Sequence, residues 1–213
     1  MLRRLATCVT LLAASAHASI TDSATGISFL PKLQVSSSGT DLEVIGAGVR
    51  KKGPIKVYSV GMYTTSALKE TLSGLSKTAD RIKALASLRS GAGSERPVSF
   101  MLDMNFKVGA EKMANAIADS VAPRHTGDVV DVDQLKQMIM DGVAKNTPDG
   151  AAVKGTKFQF DCSSAGVDVS VNGQGQGCVP SAPLSQAFCE VYLDDDTVSP
   201  ALRDSCLDNC CQD

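Results

Sequence analysis

Two strand-like segments joined by a tight turn constrain the fold of this chain more than any other feature. Residues 41–49 and 55–64 are rich in β-branched and small residues, and the turn composition KGP at 52–54 separates them. Because side chains alternate between the faces of a strand, one face of the second segment carries three apolar side chains: Tyr58, Val60 and Met62. We therefore expect two neighbouring strands with an apolar surface beside Tyr58.

The rest of the chain predicts a mixture of strands and helices. Apolar and polar residues alternate as in strands at 27–33, 97–105, 156–162 and 167–171. Helical spacing or helix stop signals occur at 66–89, where Gly74 interrupts the pattern, and at 108–122, 132–145, 184–193 and 200–210. This order predicts an α+β domain, in which an antiparallel β-sheet is covered on one face by a layer of helices.

The N-terminal residues have the pattern of a secretory signal peptide. Arg3 and Arg4 precede the uncharged apolar residues 5–16, and Ala-His-Ala at 16–18 is a small-x-small cleavage site. We predict that residues 1–18 are removed and that 19–213 form a single domain. The expected location is the secretory pathway, secreted or lumenal, and the alternative is a plastid reached through a bipartite signal. No later segment approaches the roughly 18 apolar residues of a membrane span.

The cysteines agree with an oxidising compartment. One of the seven, Cys8, lies in the predicted signal peptide, and the others are confined to the last quarter of the chain: Cys162, Cys178, Cys189, Cys206, Cys210 and Cys211. The expected disulfides join Cys162 to Cys178, and Cys189 to Cys206 or Cys210. A zinc site is a weaker alternative, because His125 is the one histidine after residue 18 and Cys-x3-Cys-Cys lacks the usual paired spacing.

Charge and motifs limit the partners. The formal net charge is −2 without basic blocks, which gives no reason to expect nucleic acid. The glycine-rich residues 172–177 predict a turn, because the lysine and helix start of a phosphate-binding loop do not follow. No motif predicts a cofactor or a metal. The expected partner is a small-molecule ligand, and the oligomeric state is left open.

One arginine and one tyrosine are the candidate ligand-binding pair. Arg50 directly follows the first strand segment and Tyr58 lies on the next, so a guanidinium and a phenol on adjoining elements could hold a carboxylate between them. Gly46 and Gly48 let the backbone pass close to a neighbour or a ligand. The alternative is an arginine in a surface salt bridge and a tyrosine in the core.

Three motifs give the chain a family resemblance. GAGVR at 46–50 with IKVYSVGMY at 55–63, FKVGAEKM at 106–113 and YLDDDTVSP at 192–200 follow in this order. Together they resemble the chalcone isomerase family, and the similarity runs from about residue 27 to 207. The resemblance implies a chalcone isomerase-like fold with a ligand between the sheet and the helices.

Within that resemblance, Arg50 and Lys112 match polar residues that the isomerases use on their substrate. Other positions depart from the isomerase pattern: Tyr58 replaces a threonine, Gly109 a tyrosine, Ala116 an asparagine, and Glu190 or Val191 a threonine or serine. Asn115 is one position from the family asparagine, and we expect it to face away from the site, about 100° around the helix.

The arginine and tyrosine pair instead resembles the fatty-acid-binding, non-catalytic branch of the family. The resemblance implies that Arg50, Tyr58 and Lys112 contact a fatty acid or similar carboxylate lipid in a cleft between sheet and helices. Flexible thioethers suit an acyl tail and are expected near it: Met101, Met104, Met113, Met138 and Met140. The alternative function is an intramolecular lyase of the chalcone isomerase type, acting on a flavonoid precursor. We therefore favour a protein that is not an enzyme.

Overall fold

A seven-stranded antiparallel sheet forms the centre of the molecule. The computed structural model describes residues 18–92 and 96–213. The strands in chain order are β1 (Ile20–Thr21), β2 (Ser28–Phe29), β3 (Lys32–Gln34), β4 (Asp41–Lys52), β5 (Ile55–Thr64), β6 (Val98–Met104), β7 (Val108–Gly109), β8 (Ala151–Ala152), β9 (Lys157–Ser163), β10 (Gly166–Val171) and β11 (Gln174–Val179). The central sheet has the order β11-β10-β9-β6-β5-β4-β3, while β1 pairs with β2 and β7 with β8.

The α-helices of the described residues form three consecutive pairs, which follow β5, β7 and β11. They are α1 (Ser66–Ser73), α2 (Arg81–Ala92), α3 (Ala110–Val121), α4 (Val129–Asn146), α5 (Ala182–Leu193) and α6 (Pro200–Cys210). Side-chain oxygens of Thr65, Asp128, Ser181 and Ser199 accept from backbone N–H groups at the starts of α1, α4, α5 and α6. The Asp128 cap starts α4 three residues before the predicted start at 132.

The main core lies between the sheet and the helices. Its largest fully buried side chains come from both layers and include Tyr58, Phe100, Phe160, Phe188 and Tyr192. A smaller cluster on the opposite face of the sheet joins Phe29 of β2 to Val44 and Tyr63. The predicted α+β class, an antiparallel sheet with a layer of helices, is confirmed.

Two glycines of β4 serve a close approach of α6. A Cβ atom on Gly48 would overlap the backbone of Leu202, and one on Gly46 would lie 2.5 Å from Cys206 Sγ. Any side chain at these positions would push the helix off the sheet. Of the two predicted roles for these glycines, the structure supports contact with a neighbouring element.

Two predicted elements are divided in the structure. The strand expected at 27–33 is split into β2 and β3, because Pro31 between them has no N–H to donate to a ladder. The Pro31 carbonyl still accepts from Val44 N at 3.0 Å. The helix expected at 66–89 consists of α1 and α2, and α1 ends at Gly74.

Two other predicted element boundaries differ from those in the structure. The turn predicted at 172–177 is confined to Asn172 and Gly173, whose φ values of 50° and 77° suit a tight hairpin, and the chain then continues as β11. The helix expected at 108–122 begins at Ala110, because the two preceding residues pair with β8.

The predicted disulfides do not form. The six cysteines in the described part of the chain are free thiols. Cys162 lies opposite Val167 in the ladder, whereas Cys178 lies opposite the next residue, Asp168. Adjacent residues of a strand point to opposite faces, so the two thiols are separated by the sheet and the predicted Cys162–Cys178 bridge is wrong.

The second predicted bridge is also wrong. Cys189, the expected partner of Cys206 or Cys210, lies near Cys162, where burial and this neighbour both raise the pKa of that thiol. Cys206 Sγ instead lies 3.8 Å from Met62 Sδ. Burial raises the pKa of the Cys162 and Cys206 thiols, so they remain protonated apolar groups of the core. Across residues 18–92 and 96–213, no group of three or more His, Cys, Asp or Glu residues is placed to hold a metal ion.

The predicted signal peptide lies outside the described residues except for Ala18, and it stays a prediction. None of the helices in the described ranges has the length and apolar character needed to cross a bilayer.

Candidate ligand-binding site

A cleft opens between the β4–β5 hairpin and α3. Its volume is about 660 Å³, within the range of roughly 300–1,000 Å³ that is typical of small-molecule sites. The cleft has an apolar lining from three segments of the chain: Ile55, Val57, Phe106, Val108 and Met113. Four cations line it as well, Arg50, Lys51, Lys52 and Lys112, and they outnumber the two carboxylates in the lining, Glu111 and Asp119. The cleft therefore offers both an apolar surface and positive charge.

Arg50 and Tyr58 lie at the buried end of this cleft. They are directly opposite each other in the β4–β5 ladder, and a bulge follows Arg50 before Lys51. Cross-strand neighbours share a face of the sheet, so both side chains point toward α3. Arg50 Nη1 lies 3.3 Å from Tyr58 Oη. The structure thus brings together the two residues that the sequence predicted as a pair.

The partners of the Arg50 guanidinium are all neutral. Besides the Tyr58 phenol, Nη2 donates to Ser120 Oγ at 3.2 Å. Both Nη atoms lie 3.4 Å from the carbonyl oxygen of Ala116. Asp119 lines the same cleft, but no carboxylate in the described ranges forms an ion pair with this half-buried guanidinium. Arg50 is therefore a cation with no carboxylate bonded to it, although against the effect of burial the nearby charge of Asp119 helps to raise its pKa.

Tyr192 extends the pair into the core, and sequence reasoning did not assign it a role. Its hydroxyl lies 2.9 Å from the hydroxyl of Tyr58, and both residues are buried. The Tyr192 ring stacks on Phe100 with a centroid distance of 4.7 Å. Burial raises the pKa of Tyr192 well above its ordinary value, so the phenol keeps its proton. The result is a chain of polar groups from Tyr192 through Tyr58 to Arg50.

Lys112 lies in the first turn of α3 and lines the same cleft. It is one helical turn before Ala116, whose carbonyl accepts from Arg50, so the two residues share a face of the helix. Lys112 is exposed, and its side chain makes no direct contact with Arg50 or Tyr58 among the described hydrogen bonds and ion pairs. It is a second, separate cation nearer to solvent.

A comparison with protein families finds a match over most of the chain. The sequence profile described as chalcone isomerase-like matches residues 22–208. The chain belongs to the chalcone isomerase-like family. The resemblance drawn from the three motifs is thereby confirmed.

Solved structures show the same fold for this chalcone isomerase-like protein. The chain is similar to the Arabidopsis thaliana fatty-acid binding protein AtFAP1, with a TM-score of 0.70 and 19% sequence identity. The similarity covers 91% of this chain and 97% of that chain. A comparison with functionally curated proteins finds no match.

The expectation for Asn115 is wrong. Both Asn115 and Ala116 line the cleft of this chalcone isomerase-like chain. Their neighbours Lys112 and Asp119 do so too, which means that the cleft covers a face of α3 wide enough to include adjacent positions. A step of one residue rotates a side chain by about 100° around α3, and at this wide face the side chain still lines the cleft.

The prediction that the five methionines lie near the acyl tail was also too broad. Met113 lines the cleft, as expected. Met104 is buried in the main core, and Met138 and Met140 pack against that core. Met101 packs on the opposite face of the sheet. The aliphatic and phenyl part of the lining comes from valine, isoleucine and phenylalanine, with Met113 as the one methionine among the described lining residues.

Proposed function

We propose that this protein binds a fatty acid or a similar carboxylate lipid in the cleft and acts as a non-catalytic carrier. The observation that carries the proposal is the Arg50–Tyr58 pair, a half-buried guanidinium whose hydrogen bonds go to neutral acceptors. A cation removed from water without a counter-charge is unfavourable, and a bound carboxylate offsets that cost. The name of the similar solved protein, a fatty-acid binding protein, supports the proposal.

The hydrogen-bond pattern leaves Tyr58 ready to donate to an anion. Its oxygen can accept from Arg50 Nη1 at 3.3 Å and from the Tyr192 hydroxyl at 2.9 Å. With both lone pairs used in this way, its own proton is available to a third group. A carboxylate beside Arg50 then receives one bond from the phenol and one or two from the guanidinium, which are charge-assisted.

The apolar lining suits the tail of such a ligand. Val57, Val108 and Met113 line the same cleft as the Arg50–Tyr58 pair. Burial of each tail methylene against such side chains contributes about 0.8 kcal/mol. Lys112, on the α3 wall, adds a positive potential that favours an anionic over a neutral lipid.

A lyase function is disfavoured by the residues that face the cleft from α3 and its start. Closing a chalcone ring requires donors to a developing oxyanion. Asn115 and Lys112 line the cleft and can donate, but Ala116 and Gly109, at the positions of the asparagine and tyrosine of the isomerases, have no side-chain donor. We therefore propose binding without turnover.

Native mass spectrometry of the purified protein tests the proposal. The carrier function predicts an added mass equal to one long-chain fatty acid, which disappears in Arg50→Ala. Ring closure of added chalcone should proceed at nearly its spontaneous rate. A turnover of about 1–1,000 per second would contradict the carrier function and support the lyase.

A further inference from the structure

Exposed apolar and basic side chains surround the mouth of the cleft. We define the mouth surface as Lys51, Lys52, Ile55, Phe106, Lys107 and Lys112. Ile55 is 49% exposed and Phe106 is 39% exposed, although both are large apolar residues. Each also lines the cleft, so the apolar lining continues without interruption to the outer surface.

The β4–β5 hairpin carries part of this surface outward. Its two-residue loop, Gly53 and Pro54, and the flanking residues are exposed. Ile55 lies directly opposite Lys52 in the ladder. One apolar side chain is therefore presented at a projecting tip, beside an ammonium group on a long flexible stem.

The lysines of the mouth surface have little internal neutralisation. Lys51, Lys52 and Lys112 are exposed and form no ion pair within the described part of the chain. Lys107 Nζ is 3.8 Å from a carboxylate of Asp149, whose side chain is 82% exposed, so this pair is largely screened. The whole chain has a net charge of −2. Glu111 and Asp119 also line the cleft, so the four lysines of the mouth surface outnumber the three carboxylates beside them, and the local charge is positive although the net charge of the chain is negative.

We infer that the mouth surface docks on an anionic lipid bilayer and that the cleft takes its ligand from there. Cations around an exposed apolar tip match a membrane interface, since the ammonium groups bind anionic headgroups and the apolar side chains enter the acyl boundary. The inference rests on the proposed function, because the bilayer serves as the source of the acyl ligand. A fatty acid would then pass from membrane to cleft along a continuous apolar path.

Vesicle co-sedimentation tests the charges of this surface. The protein should bind vesicles of phosphatidylcholine with phosphatidylserine and should bind pure phosphatidylcholine much more weakly. Each lysine at an anionic surface contributes about a fivefold factor, so Lys51→Gln with Lys52→Gln should weaken binding about 25-fold. The control is Lys32→Gln with Lys83→Gln, which removes the same charge from two exposed lysines of β3 and α2. This control should bind as the wild type does.

A matched pair of isoleucines tests the apolar tip. Ile55→Ser should weaken vesicle binding several-fold, whereas Ile82→Ser should not, although Ile82 is 83% exposed. Equal effects of the two substitutions would contradict insertion of the hairpin tip. Both variants alter exposed positions, and a thermal melt of each confirms that it is folded.

The docking inference and the carrier function fail in different ways. Arg50→Ala should lose fatty-acid affinity and still bind the anionic vesicles. The docking inference alone would be overturned if the wild-type protein bound neither kind of vesicle but did bind fatty acid in solution. A dimer that dissociates on Ile55→Ser, without any vesicle binding, would also overturn it and make the surface a contact between two copies.

Discussion

Two arginines share Ser120 as a partner and have contrasting surroundings. Arg124 donates to the Ser120 carbonyl at 2.7 Å and grips Asp194 with two nitrogens, at 2.7 and 3.0 Å. Arg50 donates to the Ser120 hydroxyl at 3.2 Å, and its other partners are a phenol and a carbonyl at 3.3 and 3.4 Å. One guanidinium has a carboxylate, and the other has neutral acceptors at longer distances.

The difference separates a structural cation from a ligand-binding one. The Arg124–Asp194 fork joins the turn after α3 to the end of α5, and its hydrogen bonds raise the pKa of Arg124. A cation satisfied in this way has little left to offer a ligand. Arg50 lines a cleft and has no carboxylate partner in the described ranges. The comparison therefore predicts that Arg124 acts on stability and Arg50 on binding.

Arg124→Ala should have the largest effect on stability. The side chains of Arg124 and Asp194 are 13% and 24% exposed, so the loss of charge-assisted bonds in this environment should cost about 1.5–3 kcal/mol. Differential scanning calorimetry should show a thermal midpoint lower by about 3–12 °C for a domain of this size. Fatty-acid affinity measured well below that midpoint should stay at the wild-type value, and a large loss of affinity would break the comparison.

Tyr192→Phe should weaken the ligand through Tyr58. The substitution removes the hydroxyl that lies 2.9 Å from the Tyr58 oxygen and leaves the stacking ring in place. The loss of one neutral hydrogen bond predicts an affinity lower by about 0.5–1.5 kcal/mol, roughly 2–10-fold, in a fluorescence titration with a long-chain fatty acid. The corresponding alcohol should be affected less. Equal losses for acid and alcohol would indicate a packing effect.

The contacts of Arg50 and Tyr58 were predictable because they are local. A two-residue hairpin loop makes β4 and β5 neighbours, and the bulge between Arg50 and Lys51 then places Arg50 opposite Tyr58 rather than Val57, so that both side chains lie on one face. Tyr192 is 134 residues from Tyr58 in sequence. Its place depends on how α5 packs on the sheet, which spacing along the chain does not encode, and the motif that contains it gave the one available signal.

The cysteine predictions failed for a related reason. The face on which Cys178 lies depends on β11 being a strand, on its register with β10 and on the irregularity between Val169 and Ser170. A glycine-rich composition hides that strand. Cysteine spacing therefore suggested a disulfide bond between two residues that the fold places on opposite faces of the sheet.

Lys112→Met should have a smaller effect than Tyr192→Phe. The ammonium group is exposed and lines the cleft away from the Arg50 bonds, so it acts through a screened potential. We expect affinity lower by at most about fivefold at low salt, with the difference shrinking toward zero near 1 M salt. A loss that persists at high salt would show direct contact with the carboxylate. Lys136→Met, on α4, is the control.

Ser120→Ala should have the smallest effect on affinity and stability, and it tests the comparison of Arg50 with Arg124 at the residue that the two arginines share. It removes the hydroxyl that contacts Arg50 and keeps the backbone carbonyl that accepts from Arg124. The freed Nη2 can turn to the ligand, so the affinity should stay within about threefold of wild type. The thermal midpoint should also change little. A loss of stability as large as that of Arg124→Ala would mean that the hydroxyl, too, is structural.

Isothermal titration of a long-chain fatty acid into wild type and Arg50→Ala tests the central claim most directly. We predict an affinity lower by about 1.5–3 kcal/mol, roughly 10–150-fold, because charge-assisted bonds to the carboxylate are lost. Arg50→Lys, which keeps the charge but not the fork, should fall between the two proteins. Unchanged affinity in folded Arg50→Ala would contradict the claim that Arg50 binds the ligand carboxylate.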